Sequence, residues 1–148
     1  MAVKDAVLQA LEQARGKRLS GGQLAQQLSV SRAAVHKAID ALRSSGMAID
    51  GVPGEGYRLA PEDDSLTAAG VQALLDTRFV GREMVVVPSL SSTNTVIKER
   101  YLDRPHGFVL LAEEQTGGRG RLGRTFVSPA ETGVYQTILL HPTLPVGH

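Results

Sequence analysis

Ser20 and Ser31 are both placed to start a helix, and they lie so close together that the first helix must be short and must turn before the second begins. Gln23 follows Ser20 at the spacing of a capping box, in which the serine oxygen accepts an orphan N–H and the glutamine side chain reaches back to the serine amide. Leu24 and Leu28 then share one face. After Ser31, a second N-cap, Val35, Ala38, Ile39 and Leu42 recur at helical spacing and face inward. Upstream, Val3, Ala6, Val7, Ala10 and Leu11 form the stripe of another amphipathic helix, which Gly16 ends. The expectation is a helix-turn-helix.

The inward stripe leaves Ser31, Arg32, Ala33, His36 and Lys37 on the outer face near the start of the third helix. A basic helix start is what a DNA major groove accepts: N-terminal residues reach base edges while flanking cations neutralise phosphates. Arg32, Lys37 and Arg43 stand against Asp40 alone, which gives this helix the charge it needs. Met47 to Leu59 reads as a β-hairpin turning at Pro53-Gly54-Glu55, a wing beside the helices. The alternative is a helical unit that only packs or dimerises.

Charge divides the chain. Residues 1–60 hold eight Lys/Arg against five Asp/Glu, and residues 61–148 hold eight against ten. The seam is expected at Ala60 to Ser65, where a proline and three acids break the pattern, giving domains of residues 1–62 and 63–148. Beyond it, Thr67 to Arg78 reads as a helix and Glu83 to Leu90 as a strand that Pro88 should end. A helix capped by Ser91 or Ser92 follows, with Val96, Ile97 and Tyr101 on one side. Gly107 to Gln115 and Gly133 to Leu140 read as two further strands. Strands interspersed with helices give an α+β class overall, a winged helix-turn-helix followed by a mixed α/β domain.

Between those last strands runs EEQTGGRGRLGRTFVSP, Glu113 to Pro129. Glycines 117, 118, 120 and 123 let backbone N–H groups approach a ligand, and Arg119, Arg121 and Arg124 offer forked donors to carboxylate or phosphate. Spacing alone allows an anion-binding loop, a surface loop of solvated arginines, or an RG-rich grip on nucleic acid. No cysteine is present, so thiolate chemistry and disulfides are excluded. His106, His141 and His148 lack metal-ligand spacing, and no metal site is expected. Ser128 reads as a turn residue before Pro129.

The string GRGRLGRTFVSP resembles the Gly-Arg-Gly-Arg-x-Gly-Arg signature of bacterial biotin protein ligases, and SSTN, Ser91 to Asn94, resembles their Ser-Thr-Asn motif. SRAAVHKAIDALRSSG followed by VPGEGYRL is similar to the winged helix of the bifunctional subgroup, the biotin operon repressors. The resemblance implies formation of biotinyl-5′-AMP from biotin and ATP with Mg²⁺, then transfer to a lysine of a biotin carboxyl carrier protein. It implies a biotin site at Ser92, Thr93, Asn94 and Gln115, with Arg119, Gly120 and Arg121 closing over the biotin carboxylate and the adenylate. Arg119 and Arg121 would be the catalytic cations. It also implies operator DNA as a partner and an adenylate-bound homodimer, in the cytoplasm and away from membranes.

Two departures matter. Phe126 stands where the family commonly has tryptophan, and the family's Lys-Trp-Pro-Asn-Asp motif has no counterpart, since no lysine follows Lys98. The expectation is that the chain is the N-terminal portion of a longer ligase, the first part of its catalytic domain, and inactive alone. The rival is a non-catalytic winged-helix transcription factor with a small domain sensing biotin or another anion.

Overall fold

The first unit is built from short helices that cannot bury their apolar stripes singly. The structure is a computed structural model that describes residues 2–143. Helices α1 (Val3–Gln13), α2 (Gly21–Gln27) and α3 (Arg32–Ser44) pack Val7, Leu11, Leu24, Val35, Ile39 and Leu42 into one core. Ser20 and Gln23 form both bonds of the capping box, and Ser31 Oγ accepts the Ala34 N–H at 3.1 Å.

The turn between α2 and α3 is a Schellman closure. Ser29 N–H donates to Gln26 O and Val30 N–H to Ala25 O, with Ser29 in the left-handed region at φ 54°. Strands β1 (Ile49–Val52) and β2 (Gly56–Leu59) pair antiparallel and turn at Pro53-Gly54-Glu55. Leu19 and Tyr57 exchange backbone bonds of 2.8 and 2.9 Å, which fastens the hairpin beside α2. Gly56 makes that approach possible: at φ 107°, a Cβ there would meet Leu19 O at 2.3 Å.

The division between the units falls between Leu74 and Leu75, past the expected seam at residue 62. Helix α4 (Ala68–Leu74) packs against α1, and charge fixes the segment before it. Arg15 pairs with buried Glu12 at 2.9 Å and donates to Asp63 O at 2.9 Å, while Thr67 Oγ1 donates to Glu12 Oε1 at 3.3 Å. Asp63 itself accepts the Ala48 and Ser65 amides. Of the three acids that look like a linker in sequence, Asp63 is consumed as a structural acceptor.

The second unit is a three-stranded sheet ordered β3-β4-β5 with a helix against it. β3 (Met84–Leu90) and β4 (Val109–Gln115) are parallel and joined through α5 (Thr93–Arg100), and β5 (Tyr135–Ile138) returns antiparallel to β4. Phe108 to Ala112 are buried, with Ile97, Phe108 and Leu110 at the centre of the core. Contrary to expectation, β3 runs through Pro88. Among the described residues β3 is an edge strand, so the N–H that proline lacks is missing from the side that has no partner.

Candidate functional site

Parallel pairing of β3 with β4 brings Leu90 opposite Gln115, so both strands end together where α5 begins. The ends of parallel strands are where open sheets hold ligands, because connecting loops and a helix start converge there. Thr116 N–H to Leu90 O and Gly117 N–H to Ser91 O carry the ladder one step further.

The predicted residues meet at this point. Thr93 N–H donates to Gln115 Oε1 at 2.8 Å, and Thr93 Oγ1 lies 3.2 Å from the same oxygen. Ser92 stands at the N-cap position of α5, but its hydroxyl makes no cap bond, and Gln115 takes the first amide of the helix in its place. Ser92 and Thr93 are buried, Asn94 is exposed and Gln115 half-buried.

Two residues missed in the sequence complete the cluster. Thr137 on β5 places Oγ1 2.9 Å from Thr93 Oγ1 and 2.9 Å from Asn94 Oδ1. Ser128 is more than a turn residue: it is buried, accepts from Gln115 Nε2 at 3.3 Å, and exchanges backbone contact with Gln115 through a bond of 3.0 Å to its carbonyl. Both reach the site through strand register, for which a single sequence carries no signal.

The arginine segment is a loop folded on itself beside this cluster. Phe126 N–H donates to Gly118 O and Gly120 N–H to Arg124 O, and a single turn at Arg121–Gly123 forms the tip. Gly120 therefore spends its amide within the loop. Arg119, Arg121 and Arg124 are exposed, and among the described residues none of their guanidinium groups is paired. Solvated cations on a self-closed loop next to a buried polar cluster can meet an anion.

The histidines are spent locally. His141 N–H donates to His106 Nδ1 at 2.9 Å, and His148 lies outside the described residues.

In the first unit Ser31, Arg32, Ala33, His36 and Lys37 are all exposed on the outer face of the helix start. An open groove of about 560 Å³ separates α3 from the hairpin, lined by Gly21, Gly22, Arg32, His36 and Tyr57 among others. His36 Nε2 lies 2.8 Å from Tyr57 Oη, tying helix to wing. Arg43 differs from expectation: its Nε and one terminal nitrogen donate to Ile49 O, so it braces α3 against β1.

A helix-turn-helix unit with a hairpin is followed by a sheet that gathers a polar cluster and an arginine loop at its strand ends. Residues 4–58 match the family described as HTH domain, and residues 86–146 match the Biotin/lipoate A/B protein ligase family. The chain is homologous to proteins named bifunctional ligase/repressor BirA. It is 31% identical to that of Bacillus subtilis over 141 residues, 95% of this chain and 43% of the relative. It is 38% identical to that of Escherichia coli over 122 residues, 82% of this chain and 37% of the relative. The chain thus spans less than half the length of these relatives. No helix among the described residues is long and apolar enough to cross a membrane.

Proposed function

We propose that this chain carries the operator-reading domain and the biotin-holding part of a biotin protein ligase that doubles as a biotin-responsive repressor. The observation that carries the reading is the cluster of Thr93, Gln115, Asn94 and Thr137 beside a loop whose arginine guanidinium groups have no partner among the described residues. Ser92, Thr93, Asn94 and Gln115 hold the ureido ring of biotin, and Arg119, Gly120 and Arg121 close over its carboxylate and the nucleotide. ATP enters as its Mg²⁺ salt and is a substrate. The cytoplasm is the compartment in which ATP, operator and carrier meet.

The chemistry suits the residues. A carboxylate attacking an α-phosphate brings two anions together, and preorganised cations lower that barrier by meeting the charge as it develops. The mixed anhydride so formed hydrolyses in water, and a loop hinged on glycines shields it until a carrier lysine arrives. The catalytic lysine of the family has no counterpart before His148. The 148-residue chain by itself is therefore expected to release no pyrophosphate from biotin and ATP.

The test is to incubate the protein as its own cells produce it with biotin and MgATP, then assay retained biotinyl-AMP and pyrophosphate by mass spectrometry. The proposal expects both, in equal amounts. Biotin binding with neither product moves the function to a non-catalytic biotin-sensing transcription factor. Pyrophosphate release by the 148-residue chain alone overturns the division of labour.

A further inference from the structure

Arg43 braces the last turn of α3 against β1, and His36 ties the start of the same helix to β2. The second tie is held firmly on the hairpin side. Tyr57 exchanges backbone bonds with Leu19, stands opposite Gly51 in the hairpin register, and lays its ring against Gly21 at the start of α2 and against Gly51. From that seat its hydroxyl reaches His36 Nε2 at 2.8 Å, with the two rings edge to face at 5.8 Å between centroids.

The hairpin has little charge of its own to spend on phosphates. Asp50 pairs with Arg58 at 2.8 Å, and Glu55 in the turn pairs with Arg18 at 3.3 Å, so its two acids already answer the cations beside them. A wing that gripped the DNA backbone would need unspent cations. What this one offers is a rigid hydroxyl aimed at an exposed side chain of α3.

We infer that Tyr57 is a positioning residue for operator reading: its hydroxyl holds the His36 ring in one orientation, engages Nε2, and leaves Nδ1 as the ring atom that meets a base. The inference rests on the operator-reading part of the proposed function and deepens it, by naming what sets specificity at one base pair. It holds whichever atom carries the shared proton, because Nε2 is engaged in either tautomer and Nδ1 has no hydrogen bond among the described residues. A free imidazole would lose rotamer freedom on meeting a base edge, whereas a ring already held makes that contact at smaller entropic cost.

The experiment titrates the full chain, Tyr57→Phe, His36→Ala and the double variant with the duplex that the parent selects from a randomised pool, and with that duplex changed one base pair at a time. His36→Ala marks the base pair that His36 reads, as the position where discrimination falls. Tyr57→Phe keeps the ring and loses only the hydroxyl; it is expected to cut discrimination at that same pair about fivefold, the worth of roughly one hydrogen bond. Affinity for a scrambled duplex and the slope of log affinity against log salt stay at the parent's values. In the His36→Ala background, Tyr57→Phe has no further effect on discrimination. Discrimination is a ratio, so it does not depend on how much of a variant is active. A merely structural tyrosine would weaken all duplexes together, with or without His36, and that result overturns the inference. So does parent-like discrimination in Tyr57→Phe, or a His36→Ala variant that changes no position; each of these leaves the operator reading standing. A parent that selects no sequence from the pool overturns the operator reading and this inference with it.

Discussion

Ser29 holds a left-handed backbone, φ 54°, at the position after the α2 cap where helices favour glycine. A Cβ in that region costs about 1–2 kcal/mol, so Ser29→Gly is expected to stabilise the turn by about 0.5–1 kcal/mol after allowing for glycine's freer unfolded chain. Slower amide exchange throughout α2 and α3 would record it; unchanged protection would mean that Ser29 pays no strain there. Gly118 is the opposite case. A Cβ at this position would meet Phe126 O at 2.4 Å and Ser128 Oγ at 2.7 Å, so Gly118→Ala must push the arginine loop off the cluster. The expected result is faster exchange of the Gln115 amide, whose partner is Ser128 O, with local destabilisation of about 1–3 kcal/mol. Arg121 tests the loop's purpose: with its guanidinium unpaired among the described residues, Arg121→Gly leaves the fold intact and, on the proposed function, lets biotinyl-AMP escape faster. A stopped-flow chase of the bound adenylate gives that rate, and a rate equal to the parent's removes the shielding role.

Among the elements, the segment between β2 and α4 is held by a carboxylate with a pH signature. Burial pushes the Asp63 pKa up, but the Ala48 amide, Ser65 and the Arg15 charge outweigh it, and the group titrates below its ordinary 3.8. A folded pKa below the unfolded one means the proton binds the unfolded chain more readily. The Asp63 contribution is then complete above about pH 3.8 and is lost as pH falls through the lower folded value. Asp63→Asn is expected to lower stability at pH 6 and to flatten the acid limb of a urea-midpoint series run from pH 6 to pH 2; an acid limb identical to the parent's would place the titration elsewhere. This element also shows where sequence reading stops. The caps at Ser20 and Ser31 and the turn at Pro53-Gly54-Glu55 were legible because each depends on neighbours a few residues away. Pro88 was misread as a strand end because whether its missing N–H matters depends on which side of β3 is paired. The structural roles of Glu12 and Asp63 were not legible because their partners, Thr67 and Ala48, lie far along the chain. At the site, Thr93 and Gln115 were legible by resemblance, while Thr137 and Ser128 came in only through the register of β4 with β5 and the loop.

At the scale of the whole molecule, the proposed function asks one chain to hold both an operator-reading helix and a ligand cluster. On the proposed function, exposed Arg32 and Lys37 on α3 supply phosphate contacts, which are salt-sensitive because each neutralised phosphate releases counterions. Lys37→Ala is expected to weaken operator binding across sequences and to reduce the slope of log affinity against log salt by about one, whereas loss of His36 would alter which sequences are preferred. If the second unit exists to report biotin to the first, affinity for operator must rise when biotin and MgATP are both present, since a ligand shifts assembly only by preferring one state. Linkage makes the effect reciprocal: operator DNA must then slow adenylate release by stabilising the same state. Arg121→Gly separates the two units of this argument, because it leaves every α3 contact in place. Fluorescence anisotropy with labelled operator is expected to show normal ligand-free affinity for that variant and little gain on adding biotin and MgATP. A full gain would mean that the arginine loop serves the ligand chemistry without reporting it to DNA.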